Sequence, residues 1–232
     1  MDCDMINIVN RNFRRSISEN DICIVLAKQI NNMIPDINQV SEVDLKPYVQ
    51  TAFTRLFNCF KAINNKYYNE GSDVSFNHLH SDHYSSFLYL VSNEAYLDKA
   101  SELATKVFLL NKYLHSIDLY FSVTLPEVFM LVHPVGSVIG NAEYSNKIVI
   151  YQNCSIGSVF KDGSYVYPKF GENIVLYSRT SIIGECNIGD NVIFGANSFV
   201  IKSDIPDNSL VTGAYPHLIV NQKPVIDIQF FH

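Results

Sequence analysis

The sequence has no pair of cysteines separated by two residues, no long apolar run and no excess of basic side chains. Its 17 lysines and arginines against 23 acidic residues give a net charge of -6, which argues against nucleic acid or an anionic membrane as the main partner. No apolar run reaches the roughly 20 residues of a membrane-spanning helix, and no basic segment leads into an apolar one as in an export signal. The five scattered cysteines are typical of free thiols, so we predict a cytoplasmic protein.

A six-residue period organises the second half of the chain. The residues in this register are Phe170, Leu176, Ile182, Ile188, Phe194 and Val200, and, counted backward from Ile156, Ile150, Tyr144, Val138 and Val132. Neither a helix nor an alternating strand produces such a period, whereas the stacked coils of a parallel β-helix do. We therefore predict that the large apolar side chains fill the interior of a three-faced coil.

The register is interrupted once, between Ile156 and Phe170, which lie 14 positions apart where six are expected. The extra residues must leave the stack as a loop within Ser158–Lys169. A regular stack does not need such an excursion, so this loop is a candidate for function. The loop carries Lys161, Asp162, Tyr165 and Tyr167.

The first half of the chain, residues 1–115, lacks the six-residue period and shows helical spacing instead. We predict helices over residues 21–33, 49–68, 82–97 and 100–114, the third capped by Ser81 or Asp82. The expected class is α+β: an α-helical N-terminal domain (1–115), a left-handed parallel β-helix of hexapeptide repeats (116–219) and a C-terminal tail (220–232).

Residues 78–83 place three histidines and one carboxylate just before the third predicted helix. Such a cluster suggests a metal, a substrate or subunit contact, or simply the entry of a helix. The spacing is loose and no distant fourth ligand is evident, so we predict no metal.

His133 is the one histidine within the regular coil registers, directly after an inward position and therefore near an outward-facing edge. Gly136 and Gly140 follow it by three and seven residues, Gln152 comes some twenty residues later, and Asp118 precedes it by fifteen. This pattern resembles the hexapeptide-repeat acyltransferases. Within them it is similar to the serine acetyltransferases and their O-acetyltransferase relatives in bacterial polysaccharide clusters.

The resemblance implies a left-handed coil, acetyl-CoA as cosubstrate and a homotrimer with active sites between subunits. It also implies His133 as general base, oriented by Asp118, with no metal required. By matching position, the cofactor would contact Gly157, Ser158, Ser178, Ala196 and Lys202. From the side-chain types, we expect Tyr165 and Tyr167 to pack against the acceptor and Gln152 or Asn153 to form a hydrogen bond with its hydroxyl.

Departures from the serine acetyltransferase pattern bear on the acceptor. That family has an aspartate immediately before the histidine, and this chain has Val132 at that position. The family also has an Arg-His pair in the loop, and this chain has Val166 and Tyr167 there. A valine cannot replace a charged group that binds a carboxylate or an ammonium, so we predict a sugar or polysaccharide hydroxyl rather than L-serine as acceptor.

Other functions remain open from the sequence. The alternatives are N-acetylation of an amino-sugar nucleotide, serine acetylation and a non-catalytic β-helix that only oligomerises. A zinc carbonic anhydrase of similar architecture is disfavoured, because that enzyme needs three histidines on its coils and this chain has His133 alone there.

Overall fold

The computed structural model describes residues 12–71 and 73–232. Its first part holds four helices and a small three-stranded sheet of order β1-β3-β2. The helices are α1 (Glu19–Met33), α2 (Glu42–Phe60), α3 (Ser81–Leu97) and α4 (Ser101–His115), and the small sheet contains β1 (Phe13–Arg15), β2 (Asn69–Glu70) and β3 (Asp73–Phe76). The predicted helical N-terminal part is therefore present, with a sheet that helical periodicity did not indicate.

The second part consists of short strands, mostly paired in parallel between coils. They are β4 (Asp118–Leu119), β5 (Phe129–Val132), β6 (Val138–Ile139), β7 (Glu143–Tyr144), β8 (Ile148–Tyr151), β9 (Ser155–Gly157), β10 (Val159–Lys161), β11 (Ser164–Val166), β12 (Lys169–Phe170), β13 (Ile174–Leu176), β14 (Ser181–Ile183), β15 (Asn187–Ile188), β16 (Ile193–Phe194), β17 (Phe199–Ile201), β18 (Ser209–Ala214) and β19 (His217–Gln222).

Capping residues set two of the helix starts. Ser18 accepts a hydrogen bond from the Asp21 backbone N–H at the start of α1, and Ser41 with Asp44 forms a capping box at the start of α2. That box explains why α2 begins seven residues before its predicted start. The cap of α3 differs from prediction: His80 occupies it without a side-chain hydrogen bond, which leaves Asp82 inside the first turn.

The interior of the coils confirms the six-residue period from Phe170 to Val200, since every predicted inward side chain is buried. Parallel pairing stacks these residues in three rows, one for each face. The rows are Tyr144, Phe170, Ile188 and Ile205; Leu131, Ile150, Leu176, Phe194 and Val211; and Leu119, Ile139, Ile156, Ile182 and Val200.

The predicted register is wrong by one residue at the start of the coils. Leu131 and Ile139 point inward, whereas Val138 is 49% exposed. The two inward residues are eight positions apart instead of six, because the turn between them contains extra residues. His133 (φ +48°) and Gly136 (φ +72°) both adopt left-handed backbone conformations in this turn.

Asparagines support another corner of the stack. Asn173, Asn191 and Asn208 all have φ between +55° and +60°, a conformation that asparagine tolerates better than most residues. The Asn173 side chain donates to Asn191 at 2.9 Å, and the Asn191 side chain donates to Asn208 at 3.3 Å. The corner is thus linked from coil to coil by side-chain hydrogen bonds as well as by backbone pairing.

The predicted excursion from the stack is a β-hairpin. Strands β10 and β11 pair antiparallel, and Asp162 and Gly163 form its tip with positive φ angles. Next to this tip, Lys161 forms an ion pair with Glu185 of the coil wall at 2.6 Å.

The C-terminal segment is not a free extension. Strand β19 pairs antiparallel with β18 through Gln222, beyond the predicted boundary at residue 219. The chain then returns to the helical part, where Phe230 O accepts from the Asn64 backbone N–H at 2.8 Å and Phe231 bridges Ile63. These contacts join the end of α2 to the end of the chain.

The four described cysteines, Cys23, Cys59, Cys154 and Cys186, are free and buried, and Cys3 lies outside the described residues. Burial raises the pKa of Cys154 to about 11, so its thiol stays protonated and packs as an apolar group. The free thiols agree with the sequence prediction for these four cysteines. Within the described part of the chain, no helix is long and apolar enough to cross a membrane.

Candidate active site

His133 stands at the end of a buried strand with its ring open to solvent. All four residues of β5 are buried, and β5 packs against both α3 and β8, so the position of His133 is fixed by the core. The side chain itself is 72% exposed. A rigid backbone with an accessible imidazole is the arrangement that a general base requires.

A carboxylate from the helical part lies beside this histidine. The Asp82 side chain is only 5% exposed, and its Oδ2 lies 3.9 Å from His133 Nδ1. Its Oδ1 accepts a hydrogen bond from the His133 backbone N–H at 3.0 Å. Sequence reasoning considered Asp82 only as a helix cap, although the histidine-rich segment that contains it was a visible signal.

The structure places Asp118 elsewhere. Asp118 lies on β4, one coil below Val138, and its Oδ2 accepts a hydrogen bond from Lys112 Nζ at 2.6 Å. Lys112 belongs to the last turn of α4. The predicted contact between Asp118 and His133 is therefore not seen in this conformation, because a lysine binds the carboxylate, and the catalytic role of Asp118 stays a prediction.

Aromatic rings and histidines surround the Asp82 end of α3. The rings of Tyr68 and His83 lie 4.5 Å apart, and those of His80 and His83 lie 4.3 Å apart. Burial, aided by His80, lowers the pKa of His83 to about 3, so His83 is neutral at pH 7. Among residues 12–71 and 73–232, no group of three or more histidine, cysteine or acidic side chains is arranged to hold a metal.

The corner above His133 carries the predicted acceptor residues Gln152 and Asn153. Val132 pairs with Tyr151, so Gln152 follows one coil above His133 in the stack. The Asn153 backbone N–H donates to Val135 O at 2.9 Å. The Oε1 atom of Gln152 is buried and has no hydrogen-bond partner within the described chain, and its contact with an acceptor stays a prediction.

The same corner continues upward through two predicted cofactor residues. The Arg179 backbone N–H donates to Gln152 O at 3.0 Å, and the Asn197 N–H donates to Ser178 O at 2.9 Å. Ser178 and Ala196 therefore lie above Gln152 on one edge of the prism, the edge that begins at His133. Their contact with a cofactor stays a prediction.

The remaining predicted residues lie on a different edge. A groove of about 510 Å³ separates the hairpin from the coils. It is lined by Val159, Phe160, Lys161, Val166, Ile183, Gly184, Glu185, Asn187, Ile201, Lys202 and Asp204. Lys202 thus lines this groove, and Gly157 and Ser158 precede the strand that forms its wall.

The hairpin presents aromatic rings to solvent. Tyr165 packs edge-on against Phe160 with ring centroids 5.2 Å apart, and Tyr165 and Tyr167 are both exposed. Within one chain the structure does not bring these tyrosines to His133, because the hairpin leaves the stack at the next corner. The site residues are therefore divided between two edges, one at His133 and one at the hairpin groove.

Comparison with known proteins places this geometry in context. No family model matches the chain. It is 26% identical over 145 residues to the serine acetyltransferase of Staphylococcus xylosus, an alignment covering 62% of this chain and 67% of that protein. The chain resembles serine acetyltransferases.

Solved structures extend the likeness to the helical part. The serine acetyltransferase of Neisseria gonorrhoeae matches with a TM-score of 0.67 and 21% identity, over 91% of this chain and 82% of that one. A serine acetyltransferase in complex with CoA matches with a TM-score of 0.62 and 15% identity, over 85% and 83%. These matches confirm the fold class, a helical N-terminal part followed by a left-handed parallel β-helix. Sequence and fold together support an acetyl-CoA-dependent acyltransferase.

Proposed function

We propose that the chain transfers an acetyl group from acetyl-CoA to a hydroxyl of a small acceptor, with His133 as general base. The observation that carries this proposal is the exposed imidazole of His133, held at the end of a buried strand beside the carboxylate of Asp82. The resemblance to serine acetyltransferases supplies the reaction type.

The mechanism follows from the chemistry of an imidazole next to an alcohol. The imidazole of His133 removes the proton as the acceptor oxygen attacks the thioester carbonyl carbon. A carbon–oxygen bond forms, the carbon–sulfur bond breaks, and CoA leaves as a thiolate. The imidazolium then returns the proton to that thiolate, so the base is regenerated without a metal.

Acetyl-CoA fits the groove beside the hairpin. Val159, Ile183 and Ile201 provide an apolar wall for the pantetheine arm, and Lys202 adds a cation at the rim for a phosphate. The other predicted cofactor residues, Ser178 and Ala196, lie on the His133 edge instead. One acetyl-CoA can use both sets only where the His133 edge of one subunit faces the hairpin edge of another, which supports the homotrimer as part of this proposal.

The proposed homotrimer predicts the mass of the protein in solution. Light scattering after size exclusion at micromolar concentration should give the mass of three 26.3 kDa chains. A monomer under these conditions would contradict the proposal that active sites form between subunits.

L-serine is the first candidate acceptor, because the relatives and structures compared above are serine acetyltransferases. They do not support the sugar that the sequence predicted.

A carbohydrate hydroxyl is the second candidate. Val166 on the hairpin replaces a charged residue of the serine acetyltransferase pattern, and the exposed rings of Tyr165 and Tyr167 suit a sugar, which stacks on aromatic faces. Loss of one charge-assisted contact of about 1.5–3 kcal/mol weakens binding roughly ten- to hundredfold. An L-serine site without that contact would therefore show a high KM.

A screen of CoA-thiol release from acetyl-CoA tests the function and the acceptor together. We expect L-serine to give a kcat/KM at least tenfold above those of sialic acids, nucleotide sugars, amino-sugar nucleotides and oligosaccharides. L-alanine, which lacks the hydroxyl, is the matched control and should release no CoA above background hydrolysis. A higher kcat/KM for a sugar would replace serine by the second candidate, and no release with any acceptor would refute the proposed activity.

A further inference from the structure

The contact between Asp82 and His133 joins the helical part to the coil at the candidate base. Asp82 is the second residue of α3, a helix most of whose residues are buried between α2, α4 and β5. The carboxylate reaches the backbone N–H of His133 with one oxygen and approaches Nδ1 with the other. We propose that Asp82 is the positioning residue of His133, the carboxylate that orients the imidazole for proton transfer. This inference rests on the proposed function.

The negative charge of Asp82 needs a partner because the side chain is buried. A buried carboxylate is costly unless it is paired or hydrogen-bonded. The Oδ1 atom accepts from the His133 N–H and from Ser81 Oγ at 3.2 Å, and the N-terminal end of α3 favours an anion. The neighbouring His83 is neutral, so it supplies no counter-charge. His133 gains a positive charge when it takes the acceptor proton, and Asp82 Oδ2 is placed to stabilise that imidazolium.

The geometry also assigns the two ring nitrogens. Because Nδ1 faces Asp82, its proton is directed to the carboxylate, and Nε2 is left unprotonated to accept a proton from the acceptor. The Nδ1 to Oδ2 separation of 3.9 Å is longer than a hydrogen bond, so a small rotation of the exposed ring is needed to close it. Asp118, engaged by Lys112, does not offer this interaction in the same conformation.

Two substitutions separate positioning from a merely structural role. Asp82→Asn keeps an oxygen for the His133 backbone N–H but removes the charge that faces the ring, whereas Asp82→Ala removes both. If Asp82 only held the backbone, Asp82→Asn would behave as wild type. We expect instead that Asp82→Asn lowers kcat roughly 10- to 100-fold with little change in KM for acetyl-CoA or acceptor, less than the about 10⁴-fold of a hydrogen-bonded triad aspartate.

The controls are the aspartate that caps the C-terminal end of α3 and the competing carboxylate. Asp98→Asn lies at the opposite end of α3, about 24 Å away at 1.5 Å per residue, and should leave kcat unchanged. Asp118→Asn should lower kcat less than Asp82→Asn does. Three results would overturn the inference: Asp82→Asn within threefold of wild type, a larger loss for Asp118→Asn, or a rise in acceptor KM at constant kcat, which would make Asp82 an acceptor ligand.

A measurement on the wild-type protein keeps the inference testable if the Asp82 variants fail to fold. Selective ¹⁵N labelling of histidine, with His133→Ala to assign its signals, reports which ring nitrogen carries the proton. We expect Nδ1–H in the neutral ring, and an Nε2–H form would refute the proposed orientation. Loss of activity in His133→Ala with no effect of Asp82→Asn would refute the inference alone, whereas full activity in His133→Ala would refute the proposed function.

Discussion

Replacing His133 with alanine is expected to lower the turnover number by roughly 10²–10⁴-fold, the usual contribution of a general base. The fold should persist, because the ring is largely exposed and its removal opens no cavity in the core. The measurement is CoA-thiol release at saturating acetyl-CoA and acceptor, together with the thermal unfolding midpoint of the variant.

The matched control is His217→Ala. His217 is also exposed but lies on β19, beyond the last coil, so its loss should leave turnover within about twofold of wild type. Turnover of His133→Ala near the wild-type value would place the catalytic base elsewhere in the chain.

The second large effect is expected in the interior of the coil. Phe194 is fully buried between Leu176 below and Val211 above, each one coil away. Phe194→Ala should lower the free energy of unfolding by about 3–5 kcal/mol, through lost apolar burial and the cavity that remains. Denaturant unfolding at one fixed protein concentration measures the change, since association also contributes to stability.

Phe160→Ala provides the comparison for this effect. This variant also removes a phenylalanine side chain, but on the hairpin, where Phe160 is 63% exposed. We therefore expect the free energy of unfolding to change by no more than about 0.5 kcal/mol. Equal losses at the two positions would contradict the assignment of Phe194 to the coil interior.

Periodicity predicted the coil well and its irregular corner poorly. The rows through Leu176 and Ile182 follow the six-residue count, because each coil repeats the same backbone path. At the first corner the count assigns Val138 inward, whereas Ile139 is the buried residue. A turn that accommodates extra residues changes the register without any change in composition, so counting alone cannot detect it.

Long-range contacts explain what the sequence missed at the site. Asp82 and His133 are 51 positions apart and lie in segments of different periodicity, so nothing local connects them. Family spacing pointed to Asp118, which lies one coil below the turn that holds His133, but it could not show that Lys112 of α4 binds that carboxylate.

The returning C-terminal segment has a consequence for the order in which the molecule assembles. Asn64 at the end of α2 donates a side-chain hydrogen bond to Gln229 O, 165 positions later, and Phe231 bridges Ile63 nearby. Contacts between residues so distant in sequence require most of the chain to be arranged first, and topologies rich in them fold slowly. We therefore expect the coils and the helices to form before the C-terminal segment packs against residues 63 and 64. In that intermediate Ile63, which is buried in the folded structure, is still exposed to water and can promote aggregation.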